Sequence, residues 1–87
     1  GNGIYDLELT GNYIWVSIYQ FSKNTKETYG RGIVLINRID ETIKIIENDN
    51  FPQTVYSLHF DGKFLWFGTN DGIYNIDLTN KFVADFN

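Results

Sequence analysis

Phe64-Leu65-Trp66-Phe67-Gly68-Thr69-Asn70-Asp71-Gly72-Ile73-Tyr74-Asn75-Ile76-Asp77 is a short apolar run, a turn built of Asn, Asp and Gly, and a second run. Strand-forming residues on either side of such a turn predict two antiparallel strands joined tightly. The same grammar occurs earlier, at Tyr13-Ile14-Trp15-Val16-Ser17 and at Gly32-Ile33-Val34-Leu35-Ile36-Asn37. One unit is therefore written twice. Trp66 falls on Trp15 at an offset of about 51 residues, and Gly72-Ile73 falls on Gly32-Ile33 at about 40, so the first unit holds about 11 extra residues between Trp15 and Gly32.

The chain has 87 residues, room for one small domain that buries only about 60 to 65 per cent of its unfolded surface. With 43% apolar residues, two Trp, six Tyr and seven Phe, it is too hydrophobic and too aromatic for disorder. A single Ala and an abundance of Ile, Tyr, Phe, Asn, Asp and Gly make the palette of strands and turns. A net charge of −4 and a pI near 4.6 argue against nucleic acid, whose affinity comes mainly from cations on phosphates. No cysteine is present, which excludes disulfides and thiolate metal sites. No apolar run approaches the ~20 residues of a membrane helix, and no signal peptide is recognisable, so no membrane insertion is expected. No Met is present even at position 1, and the expectation is that Gly1-Asn2-Gly3 is a processed or engineered end and the chain a piece of something longer.

From the N-terminus, Ile4 to Leu9 predicts a strand with Asp6 and Glu8 on one face, closed by Thr10-Gly11-Asn12. Tyr13 to Phe21 predicts a second, with Tyr13, Trp15, Ser17, Tyr19 and Phe21 on one face. Ser22 to Lys26 is a turn, and Glu27 to Asn37 returns with Gly30 and Gly32 bracketing Arg31, the mark of a bulge or a close approach. Thr42 to Ile46 alternates like an edge strand, and Glu47 to Gln53 is a loop with Pro52 biasing Phe51 to extended backbone. Val55 to Phe60 then restarts the cycle, Asp61-Gly62 standing where Thr10-Gly11 stood, and Lys81 to Phe86 predicts the last strand of a second set of four.

Asp61-Gly62, Leu65-Trp66-Phe67-Gly68-Thr69 and Asp71-Gly72-Ile73-Tyr74 resemble the blades of the two-component-regulator (ligand-binding sensor) β-propeller family. The resemblance is close over Val55 to Asp77 and looser in the first unit, where Ser17 replaces the Gly after the Trp-Val pair. It implies an all-β chain of two four-stranded antiparallel blades, a partial propeller within a single unit 1–87. Blade 1 spans 4–46 with a hairpin insertion at 18–31, and blade 2 spans 55–86. An eight-stranded sandwich or small barrel is the rival fold. The resemblance further implies a periplasmic or extracellular sensor segment, with the same repeat also occurring in quinoprotein-like enzymes and lyases. Propellers close with four to eight blades. One exposed blade face of roughly 400 Å², half apolar, forgoes on the order of 5 kcal/mol in water. The expected partners are therefore further blades: other copies of the chain, a strand swap, or the rest of a larger propeller.

No arrangement of residues spells out a reaction, and neither a cofactor nor a metal site is expected. Trp15 and Trp66 are expected to pack between blades. His59, the single histidine, lies on the innermost strand, where it faces a central channel or solvent. Asn48-Asp49-Asn50 and Asn70-Asp71-Gly72 lack the ligand spacing of a calcium loop and suit turns. Asp6 and Glu8 share a face, yet paired-carboxylate chemistry needs a separation across a cleft. The functional lead is the long hairpin, where Tyr19, Phe21, Lys23, Lys26, Tyr29 and Arg31 join aromatic rings to local positive charge in an acidic chain. Its expected role is to bind a small molecule, a protein or a neighbouring copy, against the bland alternative of a tolerated surface insertion. The expected function is a non-catalytic binding, sensing or assembly module, with a slice of a propeller enzyme or a purely structural repeat as the alternatives.

Overall fold

A computed structural model of the chain describes residues 2–46 and 52–78. Among them the chain is all-β, with seven strands: β1 (Asn2–Thr10), β2 (Tyr13–Ser22), β3 (Glu27–Asn37), β4 (Ile43–Ile46), β5 (Val55–Phe60), β6 (Phe64–Thr69) and β7 (Gly72–Asp77). β1 to β4 form one antiparallel sheet in chain order, and β5 to β7 form a second. The expected strand Lys81 to Phe86, and most of the loop Glu47 to Gln53, lie outside the described residues.

Two boundaries differ from the sequence expectation for physical reasons. β1 begins at Asn2 because its backbone, with that of Gly3, continues the ladder against Gln20 and Tyr19. β4 begins at Ile43 because Asp40 Oδ1 accepts from both the backbone N–H and the hydroxyl of Thr42 (2.9 and 2.7 Å), drawing that residue into the turn. Those same bonds from Thr42 hold the Asp40 carboxyl below its ordinary range.

The pleat divides each sheet into two faces. On the first sheet Trp15, Ile33, Leu35 and Ile46 point inward. They meet Val55, Leu58, Leu65 and Phe67 of the second, and these eight buried side chains form the core. Burial of such side chains contributes about 1.5–3 kcal/mol each. A bulge in each first strand sets which residues share a face. The β1–β2 register skips Tyr5 and the β5–β6 register skips Tyr56, 51 positions on. The skip brings Val55 onto the face of Leu58, so the apolar spacing runs three and then two instead of strictly two.

β5 pairs with β6 on one side only, so its other row of N–H groups needs acceptors. Asp6 and Glu8 of β1 supply them: Asp6 Oδ2 accepts from the N–H of Leu58 and Glu8 Oε2 from that of Phe60, both at 2.9 Å. The second oxygen of each carboxylate accepts from the residue that follows it in β1, Leu7 at 2.8 Å and Leu9 at 3.2 Å. Each carboxylate thus bridges equivalent backbone donors of the two first strands. Bonds to a charged acceptor are worth about 1.5–3 kcal/mol each, a large share of the ~5–15 kcal/mol of a small domain.

Ser17, the residue that replaces the glycine of the second unit, is fully buried. Its hydroxyl has no hydrogen-bond partner among the described residues. An unpaired buried hydroxyl costs about 1–3 kcal/mol.

Two outcomes follow for urea unfolding. Asp6→Ala and Glu8→Ala are each expected to lower stability by about 1–2 kcal/mol, and losses under about 0.3 kcal/mol for both would show that the carboxylates do not hold the sheets together. Ser17→Ala is expected to raise stability by about 1 kcal/mol; a loss of that size would mean that the hydroxyl is satisfied.

Candidate functional site

All the strand irregularities fall at one end of the stack. Besides the bulges at Tyr5 and Tyr56, the β2–β3 register sets Arg31 and Gly32 of β3 against Ile18 alone. Gly32 has φ +83°, a left-handed conformation that L side chains rarely adopt. Its N–H donates to the carbonyl of Gln53 at 2.7 Å. A Cβ on Gly30 would run into the backbone of Thr54. The Gly30-Arg31-Gly32 run is therefore both a bulge and a close approach, because the segment entering β5 lies against it.

The bulged residues meet as rings. Tyr5 lies 4.6 Å from Tyr19 and 5.2 Å, edge-on, from Tyr56, measured between ring centroids. Burial among these rings, followed by the neighbouring phenols of Tyr56 and Tyr19, holds the Tyr5 hydroxyl above its ordinary value. On the far side of Tyr19 an open cavity of about 520 Å³ is lined by Asn2, Ile4, Ile18, Gln20 and Arg31 together with Tyr19 itself. Arg31 is exposed, and among the described residues no carboxylate stands within ion-pair distance of it.

The structure brings together two of the residues singled out on the long hairpin, Tyr19 and Arg31, and spreads the others. Phe21 and Tyr29 lie further out on the two strands, 39% and 44% exposed, and Lys23 is in the exposed turn. The Tyr29 hydroxyl donates to Glu27 Oε2 at 2.8 Å and lies 3.1 Å from Thr25 Oγ1, so it braces the tip. None of these three lines the cavity.

His59 is on the edge of β5 facing β1, its side chain 75% exposed and its Nδ1 3.8 Å from Glu8 Oε2. An ion pair at that distance and exposure contributes less than about 1 kcal/mol. Trp15 and Trp66 repeat one local device: the indole N–H of Trp15 donates to Thr10 Oγ1 at 2.6 Å and that of Trp66 to Asp61 Oδ2 at 2.9 Å. Their surroundings differ. Trp15 is wholly buried between the sheets, whereas Trp66 is 37% exposed on the outer face of the second sheet.

The carboxylates set aside as candidate catalysts, Asp6 and Glu8, prove to be spent on backbone donors. Their spacing of two along β1, equal to that of Leu58 and Phe60, is the signal that could have found this role. Asn48-Asp49-Asn50 lies outside the described residues. Asp71 belongs to a self-contained turn: its N–H donates to Thr69 Oγ1 (3.0 Å), and its Oδ2 accepts from Tyr74 (3.1 Å). Among the described residues no group of three His, Cys, Asp or Glu is placed to hold a metal ion. The end at Arg31 offers one cation and the amides of Asn2 and Gln20, chemistry that recognises an anion. No protein-family model, curated protein or solved structure matches this chain.

The Asp61 carboxyl is held down to about 2 by its bond from the Trp66 indole, then by those from the backbone N–H groups of Phe64 and Lys63. A lowered folded value means that its contribution is full above the ordinary 3.8 and is lost as pH falls through about 2. The Trp66 indole proton resonance is expected to titrate with a midpoint near 2 and to lose that step in Asp61→Asn; a wild-type midpoint near 3.8 would show that the bond is not kept in solution.

Proposed function

We propose that the chain is a non-catalytic recognition module, two successive units of β-propeller type whose bulged end receives a small molecule or a protein segment bearing an anionic group. The observation that carries this reading is the convergence of three bulges on one end, with Arg31 exposed at the cavity beside them. Bulges re-aim side chains and are over-represented next to binding sites, and a cationic side chain beside amide donors is matched to a carboxylate or phosphate oxygen. What favours propeller-type units over two halves of a sandwich is the way the faces join. The sheets meet by unlike faces, the Trp15 face against the Phe67 face, and the bulges and indole bonds recur at one offset through the chain.

The test is a nuclear magnetic resonance titration of the labelled chain with acetate, succinate and inorganic phosphate in turn. Shifts confined to residues 2–4, 18–20 and 31, reduced at least about tenfold in affinity by Arg31→Ala with the remaining spectrum unchanged, are expected for a charge-assisted site. Absence of local shifts up to millimolar ligand, or shifts indifferent to Arg31→Ala, would remove this reading.

A further inference from the structure

We infer that the open face of the second sheet binds the open face of the first sheet of another copy of this chain, head to tail. The inference rests on the repeat-unit reading above and not on the anion site. The contact that already joins the two sheets shows which surface covers which: the face carrying Trp15, Ile33 and Leu35 lies on the face carrying Leu58, Leu65 and Phe67. Each of these faces has a counterpart in the other unit, and both counterparts are open.

On the second sheet the counterpart of the Trp15 face holds Trp66, Ile73 and Asn75, brought to one side by the pairs Trp66 with Asn75 and Gly68 with Ile73. Ile73 is 76% exposed. On the first sheet the counterpart of the Phe67 face holds Leu7, Leu9, Ile43 and Ile45, all at least half exposed, around Ile14 and Val34. The four-stranded face spans roughly 400 Å² and the three-stranded face of the described residues roughly 300 Å² from strand spacing and rise. Charge agrees as well. Within the chain Glu8 lies beside His59; in the repeated contact His59 takes the place of Glu8 and meets Glu8 of the second copy, where a carboxylate would repel it. A contact between unlike faces is heterologous, so copies add in one direction until the rotation closes a ring.

Substitutions at exposed positions test this without touching the core. By light scattering after size exclusion at tens of micromolar, the wild-type chain is expected as a multimer, and Ile73→Lys and Ile45→Lys as monomers, their association weakened at least about tenfold by a lysine on an apolar contact. Mixed in equal amounts, the two variants together retain one intact pair of faces, so a one-to-one dimer and nothing larger is expected. Asn75→Lys with Leu7→Lys gives a second pair on the same two faces, and near-ultraviolet circular dichroism shows that each variant is folded. Multimers that survive in the variants, or variants that stay monomeric on mixing as a like-to-like contact requires, overturn the head-to-tail contact. A monomeric wild-type chain overturns it too. The cavity residue Ile4 lies on the first-sheet face of this contact, so the titration at Arg31 is run on the monomeric Ile73→Lys variant, in which that face is unchanged and uncovered, and failure of the one proposal is then distinguishable from failure of the other.

Discussion

An exposed strand edge must find acceptors for its N–H groups, and in this chain that requirement fixes how the two sheets lie. β5 is paired on one side only, and its outward donors at Leu58 and Phe60 are met by carboxylates instead of by another strand. Because Asp6 and Glu8 also hold the N–H groups of Leu7 and Leu9, the two first strands are locked at matching positions of the repeat. Any slide of one sheet along the other breaks both bridges at once and leaves charges half-buried without partners, a costly state. The core gives the sheets a reason to meet, and the bridges select the register in which they do.

Much of the fold is legible in the sequence because it is local. β3 and β5 run from Glu27 to Asn37 and from Val55 to Phe60, the spans that composition and alternation predict, and the glycines around Arg31 announce the irregularity found there. What resists reading is what depends on the other sheet. Ile4, Leu7 and Leu9 look like a strand of ordinary alternation until the bulge at Tyr5 is seen. Asp6 and Glu8 read only as two acids on one strand face until β5 is laid beside them. Trp15 and Trp66 are equivalent in sequence and in their hydrogen bonds, yet one is core and the other surface, because sequence equivalence does not say which unit has a neighbour on that side. At the candidate site, the aromatic and basic character of the hairpin was visible, but the division between Tyr19 and Arg31 at the cavity and Phe21, Lys23 and Tyr29 beyond it follows from the bulge geometry.

The same architecture separates the chain's two kinds of surface. The faces of the sheets are apolar and extended, suited to stacking, while the bulged end is irregular and sets Arg31, Asn2 and Gln20 beside Ile4 and Ile18. Regular pairing serves cohesion, and on the proposed reading its interruption serves recognition, as in scaffolds that carry their binding groups where strands end or bend. Tyr19 belongs to both, since its ring packs on Tyr5 while the residue is also among those that line the cavity of Arg31.

The bridges between the first strands also have a kinetic meaning. Each sheet is a chain of hairpins between neighbouring segments, the quickest kind of β contact to form. Asp6 with Leu58, by contrast, and Glu8 with Phe60 join residues 52 positions apart, contacts of the distant kind that are slow to form. The docking of one sheet on the other is therefore expected to follow the making of the hairpins within each.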